Sequence, residues 1–152
     1  MTHYFITGAS AGIGAALAKK LNADKHHVSA VARRADRLAA LEQATDYFCG
    51  YQADVRDADA IAAAVNDSVK KCGPIDVAIL NAGIYTPQDG CQIIPSIYAE
   101  HMDVNYMGVI NGLAAIIPRM LAAGGGQIVI ISSVAGWRGL PKPRLMRRRK
   151  PH

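Results

Sequence analysis

No stretch of the 152-residue chain carries 18 apolar residues in a row, so a membrane-spanning helix is not expected. The N-terminus, Met1-Thr2-His3-Tyr4-Phe5-Ile6, lacks the basic segment followed by an apolar one that marks a secretory leader. Cysteine is scarce. Cys49, Cys72 and Cys91 form an odd, widely spaced set without a CxxC pair. That argues against a disulfide scaffold and a zinc site, and for a reducing, cytoplasmic setting. What remains is 51% hydrophobic and 19% charged, enough for one ordinary domain with a buried core.

The net charge of +5 is concentrated at one end. Lys142, Arg144, Arg147, Arg148, Arg149 and Lys150 are six of the 17 basic residues, and the other eleven face all twelve acids within residues 1–140. The body is therefore close to neutral. The tail alone gives a route to polyanion binding, which would be unspecific.

Short β-rich runs alternate with longer helical ones. Tyr4 to Thr7, Val28 to Ala32, Tyr47 to Gln52, Val77 to Leu80 and Gln127 to Ser132 read as strands. Helices are expected over Ile13 to Leu21, Ala35 to Ala44 and Asp57 to Lys71, with Ile13, Leu17 and Leu21 inward on the first and Ile61, Val65 and Val69 on the third. A fourth, long helix runs from Ser96 to about Leu121, with Val104, Met107, Ile110, Leu113, Ile117 and Met120 inward and a kink at Pro118. Such alternation builds a parallel sheet covered on both faces by helices.

Thr7-Gly8-Ala9-Ser10-Ala11-Gly12-Ile13-Gly14 joins the first strand to the first helix. Small residues let the backbone approach a pyrophosphate, and the helix N-terminus offers unpaired N–H groups and positive dipole. The spacing is TGxxxGxG. Asp54-Val55 follows the third strand, Asn81-Ala82-Gly83 the fourth, Asn105 lies in the long helix, and Ile131-Ser132-Ser133 ends the fifth strand. In this order and on these elements the chain resembles the short-chain dehydrogenase/reductase family from residue 1 to about 141.

The resemblance implies a Rossmann-like doubly wound sheet of five strands in order 3-2-1-4-5. Thr7, Gly8, Ser10, Gly12, Ile13 and Gly14 would form the phosphate loop. Asp54 and Val55 would face the adenine, and Asn81, Ala82 and Gly83 would line the cofactor further along. Ser133 would hold a carbonyl oxygen, and Asn105 would support a proton relay through water. The reaction implied is hydride transfer between a nicotinamide cofactor and a small carbonyl or alcohol substrate. No specific nucleic acid or membrane partner is implied, and full-length members are usually homo-oligomers. The sugar-epimerase branch spaces its glycine loop differently.

An acid at the end of the second strand would accept from a ribose 2′-hydroxyl and repel a 2′-phosphate. That end reads Ala32-Arg33-Arg34, with no acid, and two guanidiniums can pair with phosphate in a fork. NADP(H) is favoured over NAD(H), with Ser10 adding a hydroxyl.

Reduction of a carbonyl also needs a proton donor. The family uses a tyrosine thirteen residues after the serine, with a lysine four residues later. Those positions hold Met146 and Lys150, and a thioether has no proton to give. From Lys142 onward the sequence departs from the family pattern. If the Leu145 codon ends in T, the frame displaced by one nucleotide reads tyrosine across Leu145 and Met146, and permits Ala-Ser-Lys-Lys after it. The expectation is thus a domain over residues 1–141 truncated after the serine strand, and an out-of-frame basic tail over 142–152. The β-strand ending at Ile131 would then be a bare apolar edge, and the long helix would expose an apolar stripe. The chain itself would turn over little. A non-catalytic dinucleotide-binding module and a polyanion binder acting through the tail are the alternatives.

Overall fold

The β-branched and small residues of five short runs pair into one parallel sheet. The computed structural model describes residues 1–42, 47–88 and 91–133. The strands are β1 (His3–Thr7), β2 (His27–Ala32), β3 (Phe48–Gln52), β4 (Val77–Leu80) and β5 (Gln127–Ile130). Their spatial order is β3-β2-β1-β4-β5, as expected, and every pair is parallel. Parallel neighbours need crossovers. These are supplied by α1 (Gly12–Ala23), α2 (Ala35–Glu42), α3 (Ala58–Cys72), and a long helical stretch made of α4 (Pro95–Met102), a π-helical segment (Asp103–Met107) and α5 (Gly108–Ala122).

Successive strand residues point to opposite faces. Phe5, Val31, Ala78 and Leu80 face one way, onto Ile61 and Val65 of α3 and Ile116 and Met120 of α5. Ile6, Val28, Ala30 and Ile79 face the other, onto Ala18 of α1 and Leu38 of α2. Each such large side chain removed from water contributes roughly 1.5–3 kcal/mol. The first crossover thus lies on one face of the sheet and the third on the other.

Two helix faces differ from the periodicity reading. On α1 the buried residues are Gly14, Ala18 and Asn22, while Ile13 is 67% exposed. On the long helical stretch the buried line is Val104, Gly108, Gly112, Ile116 and Met120, each four residues apart. Met107, Ile110 and Ile117 are exposed instead of inward. Glycine explains the offset. A Cβ on Gly108 would stand 2.6 Å from Val55 Cγ2, and one on Gly112 would stand 2.9 Å from Leu80 Cδ2. The helix seats where it has no side chains, because its neighbours supply them. α5 also continues past Pro118, and the departure from α geometry falls earlier, at Asp103–Met107.

The helical stretch Pro95–Ala122 is long and apolar enough to cross a bilayer by length and composition. Here its buried line packs on α3 and β4. Tyr98, Met102, Tyr106, Ile110, Ile117 and Leu121 stay exposed along it, the apolar stripe expected from the sequence. Among the described residues β5 pairs only with β4, and Ile130 and Ile131 are exposed.

A polar chain crosses the sheet near its other end. The ring Nδ1 of His3 lies 3.0 Å from the Gly73 carbonyl, and Nε2 lies 2.8 Å from Ser29 Oγ, which accepts from Ser68 Oγ at 2.9 Å. These distances fit a neutral ring with its proton on Nδ1. Burial pushes His3 below its ordinary value and keeps it neutral.

Candidate functional site

In an open parallel sheet the loops after β1 and β4 diverge to opposite faces, leaving a crevice at the strand C-termini. Here that crevice is a cavity of about 500 Å³. Gly8, Ser10, Gly12 and Ile13 line it from the first loop, Arg33 and Arg34 from the end of β2, Asp54 and Val55 from the end of β3, and Asn81, Ala82 and Gly83 from the end of β4. A second hollow between α1 and α2 shares Ser10, Ala11 and Gly12 with it but touches no residue that follows β4.

The glycine loop has two kinds of glycine. Gly8 and Gly12 take positive φ, +71° and +56°, which other residues adopt at a cost. A Cβ on Gly12 would meet nothing within 4 Å, so its face is open. Gly14 is buried and lies outside the cavity wall. A Cβ there would come within 2.5 Å of both the Gly8 carbonyl oxygen and Asn81 Nδ2. Its absence lets α1 press against the loop after β4. The α1 N-cap is Ala11, which has no capping side chain, and the first turn carries no acid. The first-turn N–H groups and the positive helix end are thus left for an anion.

Thr7, placed in the loop by the sequence, is buried. Its Oγ1 accepts from the backbone N–H of Asn81 at 3.1 Å and of Ala82 at 3.2 Å. Asn81 Nδ2 donates to the carbonyls of Thr7 and Gly8 at 3.1 and 3.3 Å. These four bonds tie the two halves of the crevice together beneath any ligand.

Arg34 donates from Nη2 to Ser10 Oγ at 3.0 Å, and from Nε at 3.3 Å. Arg33 is exposed at the same rim. Asp54 is paired with Arg56, whose Nη2 and Nε reach its carboxylate at 2.6 and 3.1 Å. That guanidinium holds the Asp54 carboxyl below the usual range. The helix cap nearby is Asp57, which accepts from the Ala60 N–H, so Asp54 is free of that duty.

Asn105 sits in the π-helical segment. Its Oδ1 accepts from the Ile84 N–H at 2.7 Å, and its Nδ2 donates to the Ile84 carbonyl at 2.9 Å. Its carboxamide therefore fixes the loop after Gly83, and these two bonds use one of its two N–H donors and one of its two oxygen lone pairs. Ser133 is exposed beyond β5. Neither residue lines the 500 Å³ cavity. Met146, Lys150 and the basic tail of residues 142–152 lie outside the described residues.

Sequence reasoning missed Asn111 and His101. Asn111 Nδ2 donates to the Val55 carbonyl at 2.9 Å, and His101 Nε2 accepts from the Thr86 N–H at 3.0 Å. Both brace cavity loops from the long helix, and a lone polar residue on an apolar helix was the only available signal.

This geometry is one half of a doubly wound sheet with a glycine loop at its switch point. The family model for short chain dehydrogenases matches residues 2–143, and the chain belongs to that family. It is 36% identical over 141 residues to 3-dehydrosphinganine reductase TSC10A of Arabidopsis thaliana, covering 88% of this chain and 42% of that protein. Glycine betaine reductase ATRR of Emericella nidulans is 35% identical over 142 residues, covering 90% of this chain and 11% of its own. Among solved structures, levodione reductase superposes with a TM-score of 0.86 at 29% identity, covering 91% of this chain and 57% of that one. An actinorhodin polyketide ketoreductase variant with NADPH superposes with a TM-score of 0.84 at 29% identity, covering 91% and 56%. The chain spans about two-fifths of the length of the plant reductase. Members of the family are oxidoreductases that use a nicotinamide dinucleotide as cofactor.

Proposed function

We propose that the crevice holds NADP(H) in preference to NAD(H), in the service of hydride transfer between that cofactor and a carbonyl or alcohol. The carrying observation is the rim at the end of β2: Arg33 and Arg34 beside Ser10, with no carboxylate at that strand end. The residues fit the cofactor on two further counts. The open face of Gly12 and the uncapped α1 terminus suit a pyrophosphate, and Asp54 is already neutralised by Arg56, so it does not repel phosphate.

Bound there, the cofactor's nicotinamide supplies or takes the hydride. The chain's own residues bind and orient. First-turn N–H groups of α1 hold the diphosphate, and the two guanidiniums hold the 2′-phosphate. Gly83 and Ile84, fixed by Asn105, shape the far wall. Ser133 would donate its hydroxyl to the substrate oxygen.

A proton donor is the missing part. The last tyrosine in the chain is Tyr106, and Met146 occupies the position thirteen residues past Ser133. This favours a second reading, in which the 152-residue chain binds the dinucleotide and turns over slowly or not at all. General acid catalysis is worth about 10²–10⁴-fold.

Titration with NADPH and NADH tests the cofactor choice. NADPH should bind more tightly, and Arg33→Ala with Arg34→Ala should erase the preference, roughly 1–3 kcal/mol. Equal affinities in the unaltered chain would count against it. NADPH oxidation with a panel of ketones tests the rest. The chain should be near background, Met146→Tyr should not rescue it, and the frame-restored protein should. Robust turnover by the unaltered chain would remove the argument from Met146.

A further inference from the structure

Cys49 and Cys72 are 23 residues apart in sequence, yet their sulfurs stand 3.7 Å apart. Cys49 lies on β3, opposite Ser29 of β2, so its side chain points to the face that α3 covers. Cys72 is the last residue of α3. Both thiols are free. Cys49 is 6% exposed, whereas Cys72 is half-buried and reachable from solvent. The Lys71 ammonium faces Glu42 Oε1 at 3.9 Å, and the nearby Cys49 sulfur raises its pKa.

We propose that Cys49 and Cys72 form a reversible dithiol–disulfide modification site, oxidised by low-molecular-weight disulfides. The order of events follows from access. The Cys72 sulfur attacks one sulfur of the small disulfide. One small thiol leaves with the proton Cys72 gave up, and a mixed disulfide stays on Cys72. The Cys49 sulfur, beside the Lys71 ammonium, then attacks the Cys72 sulfur and expels the second small thiol, which takes the Cys49 proton. Two protein thiols are oxidised, and one small disulfide is reduced to two thiols.

The remaining movement is short. A disulfide needs its sulfurs about 2.05 Å apart, against 3.7 Å here, and Cys72 at the helix end is the partner placed to move. Burial pushes the Cys72 thiol up to about 11, so thiolate is scarce at neutral pH and exchange is slow enough to follow by quenched sampling. The closed bond would staple the edge strand β3 to the end of α3.

The test uses the full chain carrying Cys91→Ser, incubated with glutathione disulfide and then alkylated. The expected product has lost two hydrogens, carries no glutathione, and yields a peptide joining Cys49 to Cys72. Its thermal midpoint should rise by about 5–10 °C over the reduced form. Adding Cys49→Ser should trap glutathione on Cys72, whereas adding Cys72→Ser should leave Cys49 unmodified. A glutathione adduct that persists on Cys72 while Cys49 is present overturns the proposal. So does a pair that is still fully reduced at the end of the exchange, long after the exposed Cys91 of the unaltered chain has reacted. Both readouts come from chains that keep the pair, so a folding defect in a serine variant does not affect them.

Discussion

Among the glycines of the described residues, Gly14 leaves an added Cβ the least room. A Cβ built there lies 2.5 Å from the Gly8 carbonyl oxygen and 2.5 Å from Asn81 Nδ2, with the Gly8 carbonyl carbon at 3.0 Å. Two of these neighbours are backbone atoms, and the third is an amide already bonded to the carbonyls of Thr7 and Gly8. Gly14→Ala must therefore move α1 away from the sheet or rotate Asn81 out of its bonds. Overpacking costs about 1–3 kcal/mol, and leaving the two carbonyls unpaired costs a further ~1–3 kcal/mol. Against a typical total of about 5–15 kcal/mol, the variant should stay folded but lose a large share of its stability. Gly12→Ala is the control. It meets no atom within 4 Å and costs only the strain of φ +56°, about 1–2 kcal/mol. Urea unfolding of the three chains, with dinucleotide titration under folded conditions, separates the two effects. Gly14→Ala should unfold at clearly lower urea and bind far more weakly. A Gly14→Ala chain within about 0.5 kcal/mol of the parent, with unchanged affinity, would refute the close-approach argument.

Gly108→Ala should destabilise by about 1–3 kcal/mol and weaken dinucleotide binding, because the new methyl displaces Val55, a cavity wall residue. Gly112→Ala meets only the flexible end of Leu80 and should cost less in the same unfolding assay. Stability should fall as pH drops through about 6.5, since His3 is held neutral in the fold below its ordinary value of 6.5 while the unfolded chain takes up a proton there. His3→Gln should flatten that limb of the stability–pH profile, and an unchanged slope would place the titration elsewhere. Asn105→Ala should loosen the Ile84 loop, read as faster amide exchange at Ile84 with little change in global unfolding.

Strand order and the glycine loop were legible because each is a local pattern with one good structural solution. An apolar run such as Val77-Ala78-Ile79-Leu80 has to be an interior parallel strand, and it lies between β1 and β5. The helix faces were misread for the opposite reason. A search for apolar residues at three- and four-residue steps finds Met107, Ile110 and Ile117, but close packing here is made by Gly108 and Gly112, which carry no hydrophobic signal. Ile13 likewise looks like a core residue by spacing, yet it opens onto the cavity because the helix begins at the ligand loop. Thr7, Asn81 and Asn105 were legible as positions and not as roles, since their partners are backbone atoms about 21 to 75 residues away. The Cys49–Cys72 pair was invisible for the same reason of distance.

The crevice exists because strand order reverses at β1. From there the chain leaves along one face of the sheet to α1 and returns by β4 on the other, so the loops after Thr7 and Leu80 are driven apart at their tips. Left alone they would splay. Thr7 and Asn81 prevent this by exchanging side-chain bonds to each other's backbone across the divide, and Gly14 lets α1 close against that knot. Thr7 and Gly14 therefore shape the cavity without lining it, while Asn81 does both, so a motif read as a set of ligand contacts overstates how many of its residues face the cavity. Gly8, Gly12, Ser10, Arg33 and Arg34 remain as the surface a phosphate would meet. Their charge is unbalanced by any carboxylate except Asp54, which Arg56 already holds. The proposed preference for a 2′-phosphate thus rests on two side chains at a rim, whereas the pocket itself rests on backbone geometry. The first should be removable by substitution without disturbing the second.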